Sequence, residues 1–233
     1  MRTQRVLRVA TFLLGLSLAS APTALADQAG GVRDMGSGSL TGLQGNQGIR
    51  TDPATVAHVG YVHPTQIDTG SAGGDFVAIG TANGLGVSNC ADDYDAGWTI
   101  YADGITGGVY WCTDYTQDAY TTGSNPSFQI QYKLCPQGSS TARWSLSFGG
   151  TVRKCQNQGT TTGKRAVTMI EVTCEAGGSC TTDRNIDVKY TNLTVAVGGS
   201  WVNFAANAEV KDPAYSVDYP NNNSVNAYLA PLN

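Results

Sequence analysis

Short runs in which apolar and polar residues alternate, separated by clusters of Gly, Asn, Asp and Ser, fill this sequence from about residue 51 onward. The clearest run is Ser127 to Leu134, where every second residue is apolar. A period of two places one apolar face against a core, which is typical of a half-buried β-strand. Arg143 to Phe148 repeats the pattern, and Gly149-Gly150 then leads into Thr151 to Cys155. The sequence therefore predicts a three-stranded meander.

The remaining strand candidates have the same spacing, with turn signals every 8 to 12 residues. No segment shows the i, i+3, i+4, i+7 stripe of an amphipathic helix. We therefore expect an all-β fold, an antiparallel β-sandwich of the jelly-roll or concanavalin-like kind. The apolar phase changes at Thr191-Asn192, which predicts a bulge or tight turn there. The further strand candidates are His58–Val62, Phe76–Gly80, Trp98–Ala102, Val109–Thr113, Ala166–Thr173, Ile186–Tyr190, Leu193–Val197 and Trp201–Ala205, with one or two more after Pro213.

The first 26 residues have the organisation of a secretory signal peptide. Three arginines precede the apolar run Val9 to Ala19, and Ala24-Leu25-Ala26 supplies the small residues of a cleavage site before Asp27. A run of eleven residues is much shorter than the roughly 20 that a membrane-spanning helix needs. We expect a secreted, extracellular protein with no membrane span in its mature form.

Residues 27–50 contain seven glycines among 24 residues and show no periodicity. This composition predicts a flexible Gly-rich leader. Residues 51–233 are then expected to form a single sandwich domain.

Six cysteines follow the cleavage site, and an even number in an exported chain predicts disulfide bonds that staple the fold. Six cysteines allow 15 pairings, so sequence alone leaves the connectivity open. Pairing of neighbours is the simplest hypothesis: Cys90 with Cys112, Cys135 with Cys155, and Cys174 with Cys180.

The charge balance excludes several partners. The sequence pI is about 5.0. Removal of the signal takes away three of the 14 basic residues and leaves the 18 acidic ones. We expect no nucleic-acid partner, because an acidic chain repels polyanions.

Tyr and Trp are concentrated between residues 94 and 120, where they alternate with aspartates. Aromatic rings stack on the C–H faces of sugars and carboxylates accept hydroxyl protons, so this region is a candidate glycan site. The alternative is that Trp98 and Trp111 pack in the core. The candidate ligand-binding residues are Tyr94, Trp98, Trp111, Tyr115, Tyr120 and Asp114.

Asp92, Asp93 and Asp95 supply oxygen atoms that could hold Ca²⁺, the one cofactor that the sequence suggests. Their spacing does not match a twelve-residue EF-hand loop. A solvated acidic turn is the alternative interpretation.

Glu171 lies inside the apolar run Ala166 to Val172. A carboxyl among apolar neighbours acquires a raised pKa, which is the property of a general acid in glycoside cleavage. The alternative is that Glu171 faces water, on the strand face opposite Ile170 and Val172.

A series of short motifs resembles secreted all-β proteins of unknown function from soil actinobacteria, over roughly residues 55 to 210. The resemblance implies a concanavalin-like sandwich of two sheets. Glucanases of the concanavalin-like group carry a Glu-x-Asp-x-Glu strand, whereas Glu171-Val-Thr-Cys-Glu175 lacks the central Asp. That departure favours carbohydrate binding over hydrolysis. The motifs are Asp75–Gly80, Tyr110-Trp-Cys112, Phe128-Gln-Ile130, Trp144 with Gly149-Gly150, and Glu171-Val-Thr173.

Three hypotheses on function follow. The first is a glycan-binding or surface-associated module whose partner is a polysaccharide or cell-surface glycan. The second is a carbohydrate-active hydrolase that uses Glu171 with an aspartate from residues 92–118. The third is a structural matrix or spore-surface protein with no small ligand, which predicts no aromatic cleft. The sequence favours a binding module over an enzyme.

Overall fold

A computed structural model describes residues 27–49, 59–70, 74–84, 98–120, 123–174, 187–212 and 215–229. These residues form fifteen strands and no helix. The strands are β1 (Asp27–Asp34), β2 (Leu40–Ile49), β3 (Val59–Asp68), β4 (Phe76–Gly84), β5 (Trp98–Thr106), β6 (Val109–Tyr120), β7 (Ser127–Leu134), β8 (Ala142–Phe148), β9 (Thr151–Gln156), β10 (Arg165–Cys174), β11 (Asp187–Val197), β12 (Ser200–Asn203), β13 (Ala208–Lys211), β14 (Tyr215–Asn221) and β15 (Ser224–Leu229).

The strands form two antiparallel sheets that pack face to face. The seven-stranded sheet has the order β13-β1-β10-β3-β4-β5-β6, and the eight-stranded sheet has the order β14-β15-β11-β2-β7-β8-β9, with β12 paired to β11. Side chains from both sheets form one buried cluster between them. The predicted all-β sandwich is confirmed. Among the described residues, no helix is long and apolar enough to cross a membrane.

The predicted meander is present as β7, β8 and β9. Trp144 of β8 is fully buried, and its indole N–H donates to the Thr160 carbonyl at 2.9 Å. This hydrogen bond satisfies the polar edge of the ring inside the core. Tyr132 on β7 meets Trp144 edge to face at 5.7 Å between ring centres. The alternation of apolar residues thus identified both the strands and their buried face.

Residues 27–49, expected to be a flexible leader, instead form β1 and β2, which lie inside the two sheets. Leu40 and Leu43 are fully buried. The glycines are packing positions: a Cβ on Gly42 would lie 2.8 Å from the Trp201 ring, and one on Gly45 would lie 2.7 Å from Leu193 Cδ2. Glycine is tolerated in a strand where a neighbouring side chain approaches closely. The prediction of a flexible leader took the high glycine content as a sign of backbone flexibility. In the structure, these glycines instead let neighbouring side chains pack closely against the strand.

The change of apolar phase at Thr191-Asn192 occurs within a single strand, β11. Its pairing with β2 shifts between Thr191 and Thr194, and Asn192 has a positive φ of 54°. Asparagine is one of the few residues that adopt this conformation readily. The predicted irregularity is therefore confirmed as a bulge.

Cys135 and Cys155 form a disulfide bond, with their Cα atoms 5.7 Å apart. Cys135 directly follows β7 and Cys155 lies in β9, so the bond joins the first and third strands of the meander at one end. Cys112 is also disulfide-bonded. Its predicted pairing with Cys90 stays a prediction, as does that of Cys174 with Cys180, because Cys90 and Cys180 lie outside the described residues. A disulfide is consistent with an extracellular protein.

Candidate functional site

The outer face of the seven-stranded sheet, which points away from the eight-stranded sheet, carries the polar side chains of interest. On β5, Ile100 and Ala102 point into the core, so Tyr101 and Asp103 lie on the outer face. On β10, Ala166 and Ile170 belong to the core, and Glu171 takes the outer face by the same alternation. Strands β3 and β4 separate β10 from β5.

A cleft of about 370 Å³ lies on this outer face. Its lining combines polar side chains with apolar side chains of β3, β4 and β10. The lining residues are Asp34, Gly36, Pro64, Gln66, Asp68, Gly70, Gly74, Asp75, Phe76, Ala78, Ala82, Tyr101, Asp103, Tyr110, Lys164, Arg165, Met169 and Glu171.

Glu171 is buried in this cleft, with 4% of its surface exposed. Its Oε1 atom has no hydrogen-bond partner among the described residues. Burial raises the pKa of Glu171 to about 8, and the charge of Asp103 raises it further in the same direction. Glu171 lies on the strand face opposite Ile170, as the alternative interpretation had it, but this face is not in water, and the carboxyl is buried as the general-acid interpretation requires. The outer face is concave and excludes water from the carboxyl.

Asp103 is the second carboxyl of the cleft and is half-buried. The Tyr110 hydroxyl donates to its Oδ2 at 3.2 Å. Burial raises the pKa of Asp103 to about 7, and the hydrogen bond from Tyr110 opposes that rise. Two carboxyls with raised pKa values therefore share one cleft, and Glu171, whose pKa is the higher, keeps its proton to a higher pH than Asp103. We name Glu171 and Asp103 the carboxyl pair.

The cleft lining also includes an ion pair. The Arg165 guanidinium contacts Asp68 Oδ2, with Nε at 2.6 Å and a terminal nitrogen at 2.5 Å. The Gln66 amide donates to Asp68 Oδ1 at 2.8 Å. These contacts satisfy both oxygens of Asp68 and tie its carboxylate to β10.

Trp111 and Tyr115 lie on the inner face of β6, where they pack against the core. The Trp111 indole donates to Thr106 at 2.9 Å, and the Tyr115 hydroxyl donates to the Arg153 carbonyl at 2.6 Å. Lys154 and Arg153 of β9 cover the two rings at 5.6 and 5.8 Å. For Trp111 this placement matches the core-packing alternative. Tyr115 lies half-buried within the same strand.

Other predicted site residues are described in part or not at all. Strand pairing places the Asp114 backbone opposite Tyr101 and that of Tyr120 opposite Trp98. Tyr94 and the three candidate calcium ligands, Asp92, Asp93 and Asp95, lie outside the described residues. Calcium binding therefore stays a prediction. Among the described residues, no three His, Cys, Asp or Glu side chains are grouped closely enough to hold a metal ion.

Sequence reasoning did not single out Tyr101, Asp103 or Gln66. A signal for the first two was present, because Trp98 to Thr106 alternates and places Tyr101 and Asp103 on the face opposite Ile100 and Ala102. No local signal pointed to Gln66, whose importance arises from strands that are distant in sequence.

No protein-family model matches this chain, and no curated protein sequence matches it. Solved structures with a similar fold do exist. The chain is similar to a Scytalido-glutamic peptidase with a transition-state analogue inhibitor, with a TM-score of 0.57 and 9% sequence identity. It is also similar to SCP-B, a member of the eqolisin family of peptidases in complex with the tripeptide Ala-Ile-His, with a TM-score of 0.52 and 10% identity. Each match covers 89% of this chain and 100% of the other.

A more distant likeness is to a glycoside hydrolase family 16 endo-glucanase from Bacteroides ovatus, with a TM-score of 0.37, 6% identity, and coverage of 64% of this chain and 66% of the other. At these identities the likenesses concern the fold alone. The two peptidase likenesses support the sandwich, and the activity has to be argued from the site.

Proposed function

We propose that the protein is a secreted hydrolase that uses the carboxyl pair, with a polypeptide as its substrate. One observation carries the proposal: Glu171 and Asp103 line the same cleft and both have raised pKa values, with Glu171 Oε1 left without a partner. A buried, unsatisfied carboxyl costs stability, and such groups cluster at functional sites.

The two carboxyls have complementary roles in amide hydrolysis. Asp103, ionised, accepts a proton from water as the water oxygen bonds to the carbonyl carbon. Glu171, protonated, gives its proton to the amide nitrogen as the C–N bond breaks. The products are a carboxylic acid and an amine. Transfer of one proton from Asp103 to Glu171 through solvent restores the starting state.

The choice of a polypeptide rests on fold likeness together with the site. The two solved structures reported above with TM-scores above 0.5 are described as peptidases, one of them as a glutamic peptidase with a transition-state analogue inhibitor. This chain carries its own buried glutamate in a cleft. The apolar residues in the lining of that cleft are suited to contact a substrate side chain.

The test is digestion of an unfolded protein substrate by the purified mature chain, with new peptide ends identified by mass spectrometry. We expect Asp103→Asn and Glu171→Gln each to lower kcat at least 100-fold, in line with the loss of a general acid or base. Asp218→Asn and Glu209→Gln are matched controls, because both carboxyls are exposed and lie outside the cleft lining. Cleavage by neither the wild type nor the controls, or equal cleavage by all variants, would overturn the proposal.

A glycan ligand is the second candidate, and Tyr110 favours it. This ring is 37% exposed at the cleft and is hydrogen-bonded to Asp103. An aromatic ring beside a carboxylate is suited to a sugar. This candidate is tested by comparing the wild type with Tyr110→Ala in polysaccharide pull-down and on glycan arrays. Tyr94→Ala is included because Tyr94 belongs to the region of residues 94–120 that the sequence predicts as a glycan site. Incubation with polysaccharides in the same series tests glycoside hydrolysis. A matrix protein without a ligand predicts no aromatic cleft, so a cleft lined by Phe76, Tyr101 and Tyr110 argues against that alternative.

A further inference from the structure

Tyr101 is a buried polar group that the reaction above leaves unused. It lies two residues before Asp103 on the outer face of β5 and lines the same cleft as Glu171. Only 6% of its surface is exposed. A phenol is a good hydrogen-bond donor, and a buried one usually serves a partner.

Strand register indicates where the Tyr101 ring extends. The residue directly opposite it on β4 is Gly80, and the residue opposite Gly80 on β3 is Pro64. Glycine leaves space on the outer face of β4, so no long side chain at these positions stands between Tyr101 and β10.

The electrostatic interactions of Tyr101 are consistent with a ring that extends over Gly80 towards β10. Burial is the main cause that holds the pKa of Tyr101 well above the usual range, and interactions with Asp103, Glu171, Tyr190 and Tyr110 act in the same direction. The Tyr190 hydroxyl donates to the Met169 carbonyl at 2.7 Å and lies 3.3 Å from that of Pro64, so it marks the junction of β3 and β10. Tyr101 therefore lies close enough to both carboxyls to interact with each, and its hydroxyl stays protonated.

We propose that Tyr101 is a further catalytic residue, whose hydroxyl donates a hydrogen bond to the carbonyl oxygen of the substrate. The bond strengthens as that oxygen gains negative charge when water attacks. A neutral donor suits this position, since a cation would pair with the carboxyls instead. This inference rests on the proposed hydrolase function and adds the electrophilic group that the carboxyl pair lacks.

Tyr101→Phe tests the inference, because it removes only the hydroxyl. We expect kcat to fall about 100-fold, the scale of losing one oxyanion donor, with KM changed less than threefold. Tyr228→Phe is the matched control, since its hydroxyl bonds Asp218 on the eight-stranded sheet. Circular dichroism and urea unfolding of each variant establish that equal amounts of folded protein are compared.

The outcomes separate the two proposals. If Asp103→Asn and Glu171→Gln abolish cleavage while Tyr101→Phe keeps kcat within threefold, the hydrolase stands and the role of Tyr101 is overturned. A rise in KM at constant kcat would also overturn it, because the hydroxyl would then bind ground state and transition state equally. If the wild type cleaves no substrate, both proposals fail together.

Discussion

Replacement of Glu171 by glutamine changes how the stability of the protein depends on pH. Glutamine has the shape of the protonated carboxyl and never ionises. Because the pKa of Glu171 is raised, the folded protein holds this proton more tightly than the unfolded chain does. The resulting stabilisation is fully present below the unfolded pKa of about 4.5 and is lost as the pH rises through about 8.

The expected change in the free energy of unfolding follows from the size of the pKa shift of Glu171. A rise from 4.5 to about 8 corresponds to about 5 kcal/mol at 1.36 kcal/mol per pKa unit. About 4 kcal/mol of this would be lost between pH 5 and pH 9 by the linkage relation. A domain of this size is typically stable by about 5 to 15 kcal/mol, so the loss is a large part of the total.

Urea unfolding at pH 5, 7 and 9 measures the effect. We expect Glu171→Gln to gain about 4 kcal/mol over the wild type between pH 5 and pH 9. Glu209→Gln is the control, because it makes the same chemical change at an exposed position. Asp103→Asn provides a second check, because removal of its charge lowers the pKa of Glu171 and moves the stability loss to lower pH. Parallel stability profiles for the wild type and Glu171→Gln would refute the reasoning, since they would show that Glu171 ionises as freely in the folded state as in the unfolded one.

Three further predictions concern activity and folding. Hydrolysis is expected to show a bell-shaped pH profile, falling below about pH 7 as Asp103 gains a proton and above about pH 8 as Glu171 loses one. An optimum below pH 5 in a kcat/KM profile would contradict the assigned roles. Removal of the Cys135–Cys155 bond, which joins residues 20 apart, is expected to cost about 3 kcal/mol in urea unfolding, and a change under 1 kcal/mol would contradict this. Gly30→Ala is expected to lower the melting temperature by more than 5 °C, because its Cβ would collide with the Thr168 carbonyl of β10, and an unchanged melting temperature would show that β1 is not packed against β10.

The alternation of apolar and polar residues predicted those parts of the fold that depend on residues close together in the sequence. The meander of β7, β8 and β9 follows from alternating residues and a glycine turn, and Cys135 and Cys155 lie close together because β7 and β9 end at the same side. Residues 27–49 were misjudged for the opposite reason. Whether glycine gives a chain freedom or lets it pack closely depends on what lies beside it, as Gly42 against Trp201 shows.

The sequence by itself determined the all-β class, the bulge in β11 and the face of β10 on which Glu171 lies. Each of these depends on the period of two along a single strand or on the conformational preference of a single residue. Only the tertiary structure decided that this face of β10 is concave, that the Glu171 carboxyl is shielded from solvent, and that Asp103 and Tyr101 line the same cleft. The physical reason is that the strands order as β10-β3-β4-β5, which brings together residues about 70 apart in the chain, and desolvation depends on that assembly.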